Sequence, residues 1–135
     1  MARAALYRVI VPVPDIEAAA GFYARLLESP GERVSPGRHY FDCGGTILAC
    51  YDPEADGDGS GEGWRHHFNQ YLYFSVDDVD AMLQRVLDCG GVVEGPVESM
   101  PWGERMFYAR DPFGTPVSFV DAATVFRGDG GEGEG

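Results

Sequence analysis

The chain has 135 residues, 22 acidic against 10 basic side chains, and a formal net charge of −12. That balance argues against a nucleic-acid partner, whose phosphates need a basic surface. No apolar run approaches the ~18 residues of a membrane span. Three cysteines without a Cys-x-x-Cys pair suggest neither a disulfide framework nor a zinc site. The N-terminus lacks the basic and apolar regions of a secretory signal, so a cytoplasmic protein is expected. A chain of this length forms one compact domain or two small modules sharing a core.

Leu6-Tyr7-Arg8-Val9-Ile10-Val11 is β-branched and aromatic and predicts a strand. Alternation puts Tyr7, Val9 and Val11 on one face and Leu6, Arg8 and Ile10 on the other. Pro12 and Pro14 end pairing. Asp15 reads as a helix N-cap, with Ile16, Ala19, Ala20, Tyr23 and Leu26 or Leu27 as the apolar stripe. Ser29-Pro30-Gly31 stops that helix. Residues 38–42 and 46–51 are predicted strands joined through Gly44-Gly45. Residues 54–69 are rich in glycine and acid and read as a flexible linker. Residues 71–76 predict another strand. Asp77-Asp78 caps a second helix whose stripe is Val79, Met82, Leu83 and Val86, ended by Cys89-Gly90-Gly91. Val92-Val93 is short and extended, and residues 95–104 are expected to form a loop that carries Trp102. A hairpin follows: Met106–Arg110, a turn at Asp111-Pro112-Phe113-Gly114, and Val117–Val120. Residues 125–135 read as a disordered tail of glycine and acid.

The two halves repeat one pattern. Asp15 matches Asp78 and Arg8 matches Tyr71. Gly45-Thr46 matches Gly114-Thr115, Ala49 matches Ser118, and Asp52 matches Asp121. The expected fold class is therefore α+β, built from a first module over 1–53 and a second over 70–124, each strand, helix, then two or three strands.

Val13-Pro14-Asp15-Ile16 with Phe22-Tyr23, Phe74 through Ala81, and Asp111-Pro112-Phe113-Gly114-Thr115 resemble the vicinal oxygen chelate superfamily. That superfamily contains glyoxalase I, bleomycin resistance proteins and extradiol dioxygenases. The resemblance implies a glyoxalase/bleomycin-resistance-like fold, with two βαβββ modules whose curved mixed sheet encloses a cleft, and a homodimer. Metal-dependent members place a ligand in the first and last strand of each module. Carried over residue by residue, those positions are Arg8, Ala49 (or Leu48, if the register slips by one), Tyr71 and Ser118. None is His, Asp or Glu, and Arg8 adds a fixed positive charge where a cation would sit. Metal ligands prefer imidazole, carboxylate or thiolate, so no metal and no cofactor is expected.

The candidate ligand-binding residues are Arg8, Tyr51, Tyr71, Tyr73, Trp102 and Ser118. Arg8 offers a fork for a carboxylate, phosphate or carbonyl oxygen, against the plainer alternative of an ion pair at the sheet rim. The tyrosines either pack or stack on a flat or cationic ligand. Trp102 borders the cleft or plugs the sheet, and Gly103 beside it would let the loop move. Ser118 lacks a His or acid at nucleophile spacing and reads as a small polar wall residue. His39 is a base only if it nears the cleft, and adjacent His66 and His67 point apart in an extended segment. No catalytic residue is assigned.

Three functions compete. The first is a metal-free cleft that binds and sequesters a small organic molecule. The second is a glyoxalase-like lyase or other enzyme on a small carbonyl or oxygenated substrate, with acid–base chemistry from Tyr71 or His39. The third is an accessory domain with an idle cleft.

Overall fold

A computed structural model describes residues 3–59 and 69–126. The chain divides into two compact units, Met1–His67 and Phe68–Gly135, each with its own sheet.

The first unit runs β1 (Arg8–Pro12), α1 (Ile16–Leu27), β2 (Glu32–Ser35), β3 (Arg38–Asp42) and β4 (Ile47–Tyr51). Its strand order is β1-β4-β3-β2, with β1 parallel to β4 and the remaining neighbours antiparallel. Asp15 caps α1 by accepting from the Glu17 and Ala18 amides, both at 3.1 Å. Buried Asp52 at the end of β4 accepts from the Ile16 amide at 3.2 Å, so two carboxylates serve the helix N-terminus. The helix ends on Glu28, held at φ 55°. Its buried face is Ile16, Ala19, Phe22, Tyr23 and Leu26; Phe22 replaces Ala20 in the expected stripe. The Arg33–Glu17 and Tyr23–Phe41 contacts show which sheet face α1 covers. By register that face also carries Val9, Val11, Leu48, Cys50 and His39. Arg8, Ile10, Ile47, Ala49, Tyr51, Arg38 and Tyr40 lie on the helix-free face.

The second unit runs β5 (Leu72–Val76), α2 (Val79–Asp88), β6 (Val92–Val93), β7 (Glu98–Ser99), β8 (Arg105–Arg110) and β9 (Pro116–Asp121), with a 3-10 turn at Ala122–Thr124. The order is β5-β9-β8-β6, and β7 also pairs with β8. β7 lies inside the stretch expected to be a loop, so the outer strand is one broken edge in two pieces. Asp78 caps α2 through the Ala81 amide at 3.0 Å. Val79, Met82, Val86 and Cys89 are buried, while Leu83 is only half-buried. The turn between β8 and β9 is organised by buried Asp111. Its carboxylate accepts from the Phe113 and Thr115 amides, each at 2.9 Å, and Gly114 takes φ 94°.

The pairing repeats between the units. Ile10 stands opposite Ala49 in the first, and Tyr73 opposite Ser118 in the second. The spacing that matches Arg8 with Tyr71 also matches Ile10 with Tyr73.

Residues 54–59, read as part of a linker, are anchored in the first unit. Asp56 accepts from the Gly37 amide at 2.8 Å and the Ser35 hydroxyl at 3.1 Å, and it pairs with Arg38. His66 and His67 lie outside the described residues. At the other end, the Phe126 amide donates to Glu104 at 3.1 Å; 127–135 also fall outside. No helix among the described residues is long and apolar enough to cross a membrane.

Candidate functional site

The second unit brings together three of the six predicted residues. Arg105 pairs with Asp80 of α2, so the odd-numbered side chains of β8 share the helix side of the sheet. Phe107, Phe119 and Phe74 stack there, with centroids 5.3 and 5.4 Å apart. The even-numbered face is helix-free. Across it runs one row, Tyr73 on β5, Ser118 on β9 and Tyr108 on β8.

Tyr71, just before β5, completes the group. Its ring meets Tyr108 edge-on at 5.5 Å and 72°, and Tyr73 at 6.5 Å and 54°. Such tilted rings present both edges and faces. Tyr73 is 51% exposed as a whole, but desolvation of its hydroxyl pushes the phenol up to about 12, helped by its hydrogen bond with Tyr108 and by nearby negative charge on Glu104. Tyr73 is thus a neutral phenol at physiological pH, a donor rather than a base.

Ser118 sits at the centre of the row. It is fully buried, and its Oγ has no hydrogen-bond partner. Buried hydroxyls are nearly always satisfied, because stranding one costs about 1–3 kcal/mol. Tyr108 was missed by the sequence reading. Its signal is the hairpin register: once Asp111 organises the turn, Tyr108 must oppose Ser118.

Trp102 lies in the turn before β8. Its indole is 57% exposed and donates to Glu104 at 3.0 Å, while Gly103 takes φ 102°. It is tied to Glu104 and contributes no ring to the tyrosine group.

Arg8 and Tyr51 belong to the first unit. Tyr51 is engaged there: Arg38 lies 4.5 Å from its ring centre and its hydroxyl donates to Asp58, which raises the phenol's pKa. Arg8 is exposed. Its guanidinium carbon lies 5.2 Å from the Tyr7 ring centre and 5.4 Å from that of Tyr40. His39 faces α1, not the open face. Its Nδ1 accepts from Arg33 at 3.2 Å and its Nε2 meets the Pro30 carbonyl at 2.9 Å, so both ring nitrogens are occupied.

Taken unit by unit, the expected metal positions do not fit a divalent metal. Arg8 is a cation, Ala49 has no donor, and Ser118 offers a neutral hydroxyl. Tyr71 opposes Pro116 in the continued register rather than a second donor. Among the described residues no group of three His, Cys, Asp or Glu side chains converges on one point.

Comparison with known proteins adds kinship to this geometry. An uncharacterised protein of Mycobacterium bovis is 37% identical over 70 residues, covering 44% of this chain and 46% of the relative. One from Mycobacterium tuberculosis matches equally over 41% of its length, so the chain spans less than half of these curated relatives. Among solved structures, a glyoxalase-related enzyme from Fulvimarina pelagi superposes with a TM-score of 0.71 at 20% identity, over 86% of each chain. A glyoxalase/bleomycin resistance protein/dioxygenase family enzyme from Burkholderia phytofirmans gives 0.71 at 17% identity, over 87% of this chain and 98% of that one. These likenesses are of fold. The family profile described as Glyoxalase/Bleomycin resistance protein/Dioxygenase superfamily matches residues 5–119, nearly all of the described chain, and the protein therefore belongs to that superfamily.

Proposed function

We propose that this protein binds a small, flat organic molecule on the tyrosine face of its second sheet, without a metal, and acts by holding the molecule rather than by transforming it. The observation that carries the reading is the Ser118 hydroxyl, buried and unpartnered between Tyr73 and Tyr108. A polar atom kept in that state gains a partner from a ligand that displaces the side chains covering it. Tyr71, Tyr73 and Tyr108 supply apolar area, and the Tyr73 phenol, bonded to Tyr108, stays neutral. A flat molecule with one hydrogen-bonding group at its edge matches both. Acid–base catalysis has weaker support, because both His39 nitrogens are engaged.

The test is calorimetry of the purified protein with neutral aromatic amides and phenols, benzamide and 4-nitrophenol among them, with and without EDTA. Binding should survive EDTA, and Tyr73→Ala or Ser118→Val should weaken it about tenfold. Affinity that vanishes with EDTA and returns with Ni, Zn, Fe or Mn would sink the proposal. So would variants that bind as tightly as the parent.

A further inference from the structure

Five arginines stand on strands: Arg8, Arg33, Arg38, Arg105 and Arg110. Four are neutralised by a carboxylate: Arg33 by Glu17 at 3.0 Å, Arg38 by Asp56, Arg105 by Asp80 at 3.3 Å and Arg110 by Glu94 at 2.6 Å. Arg8 is the exception. Among the described residues it meets no carboxylate, although the chain carries 22 acids for 10 bases. It is held instead by the rings of Tyr7 and Tyr40. A ring engages the flat side of a guanidinium and uses none of its five N–H donors. The planar fork that matches a carboxylate with two parallel hydrogen bonds is thus left without an acid.

The surroundings narrow the chemistry. Ile10 follows on the same face of β1 and is 48% exposed, and Leu6 and Tyr7 are exposed beside it. An apolar strip next to an unpaired cation suits an organic anion better than a bare ion. Asp42 lies in the cross-strand row of Arg8 and Ile47, two strands away, and is exposed, which disfavours multiply charged anions.

We infer that Arg8, clamped by Tyr7 and Tyr40 on the helix-free face of the first sheet, is a metal-independent site for a small apolar monocarboxylate. The inference rests on residues of the first unit alone and does not depend on the reading of the second unit's tyrosine face. Benzoate is the probe, with benzamide as its neutral isostere and inorganic phosphate as the multiply charged control, all in EDTA-containing buffer. Nitrogen-detected NMR of the arginine side chains and calorimetry read the binding. Benzoate should shift the Arg8 Nε signal saturably, while benzamide and phosphate act at this signal at least tenfold more weakly. Arg8→Gln should cost benzoate at least tenfold in affinity. Arg8→Lys, which keeps the charge and loses the fork, should cost several-fold. Tyr40→Leu provides a second handle should Arg8→Gln fold poorly, and should cost about fivefold. Equal binding of benzoate and benzamide at the Arg8 signal overturns the inference, as does unchanged benzoate affinity in the Arg8 variants or in Tyr40→Leu.

Discussion

Ser118 shows how a single side chain separates stability from function. Its hydroxyl is buried without a partner, and so is that of Thr115, yet the two differ in setting. Thr115 belongs to the turn that Asp111 organises, with its amide bonded to the Asp111 carboxylate. Ser118 lies in mid-strand between two tyrosines. Replacing an unsatisfied buried hydroxyl with hydrogen removes a desolvation cost and leaves only a very small void. Ser118→Ala should therefore raise the unfolding free energy by about 1 kcal/mol in urea titrations with an unchanged m-value. The same variant should bind the neutral aromatics of the calorimetric panel more weakly. That opposite movement marks a group kept for binding at a cost in stability. A loss of stability of about 1 kcal/mol or more would mean that the hydroxyl already has a partner in solution.

At the scale of elements, legibility followed the strength of local chemistry. Both helices carry an aspartate N-cap followed by apolar residues at helical spacing, and the main hairpin has a turn sequence no strand would tolerate. β2 and β7 carry no such mark. Glu32-Arg33-Val34-Ser35 is almost wholly exposed, and Glu98-Ser99 is two exposed residues. Both exist because β3 and β8 offer edges with which to pair, a tertiary cause that periodicity cannot register. Tyr73 and Ser118 were legible through the duplication. Tyr108 and the Tyr7–Arg8–Tyr40 clamp were not, because they depend on cross-strand register and on ring placement.

The segment at 54–59 looked like linker because its composition is glycine and acid, yet Asp56 and Asp58 each have a partner in the first unit. Gly37 makes the docking possible: a Cβ there would lie 2.2 Å from the Asp52 carbonyl oxygen. The Gly37 amide, the Ser35 hydroxyl and Arg38 hold the Asp56 carboxyl below its ordinary range. A carboxyl lowered in the folded state contributes stability above its unfolded value of about 3.9, and that contribution disappears as pH falls through the lowered folded value. Asp56→Asn should therefore melt below the parent at neutral pH, with the gap closing as pH is taken from about 5 to 2. A gap that stays constant over that range would show that Asp56 does not anchor the segment through its charge.

At the scale of the whole molecule, the net charge of −12 acts on any ligand before contact, and its sign opposes the anion assigned to Arg8. Magnitudes decide between the local attraction and the global field. Twelve charges at about 20 Å repel a unit anion by roughly 2.5 kcal/mol in unscreened water. With Debye lengths of ~30 Å at 0.01 M salt and ~8 Å at 0.15 M, that repulsion falls from about 1.3 to about 0.2 kcal/mol. The contact with Arg8 at ~4 Å is worth about 1 kcal/mol in water and loses only ~0.3 kcal/mol over the same change. The global term is the larger one. Benzoate should thus bind roughly fourfold more tightly at 0.15 M than at 0.01 M salt, whereas ordinary charge pairs weaken as salt rises. For an organic cation the long-range contribution reverses, so salt should weaken it. Calorimetric titration of benzoate at the two ionic strengths reads the sign directly. Weakening across that range would mean that the acidic residues lie too far from Arg8 for their summed field to govern the approach.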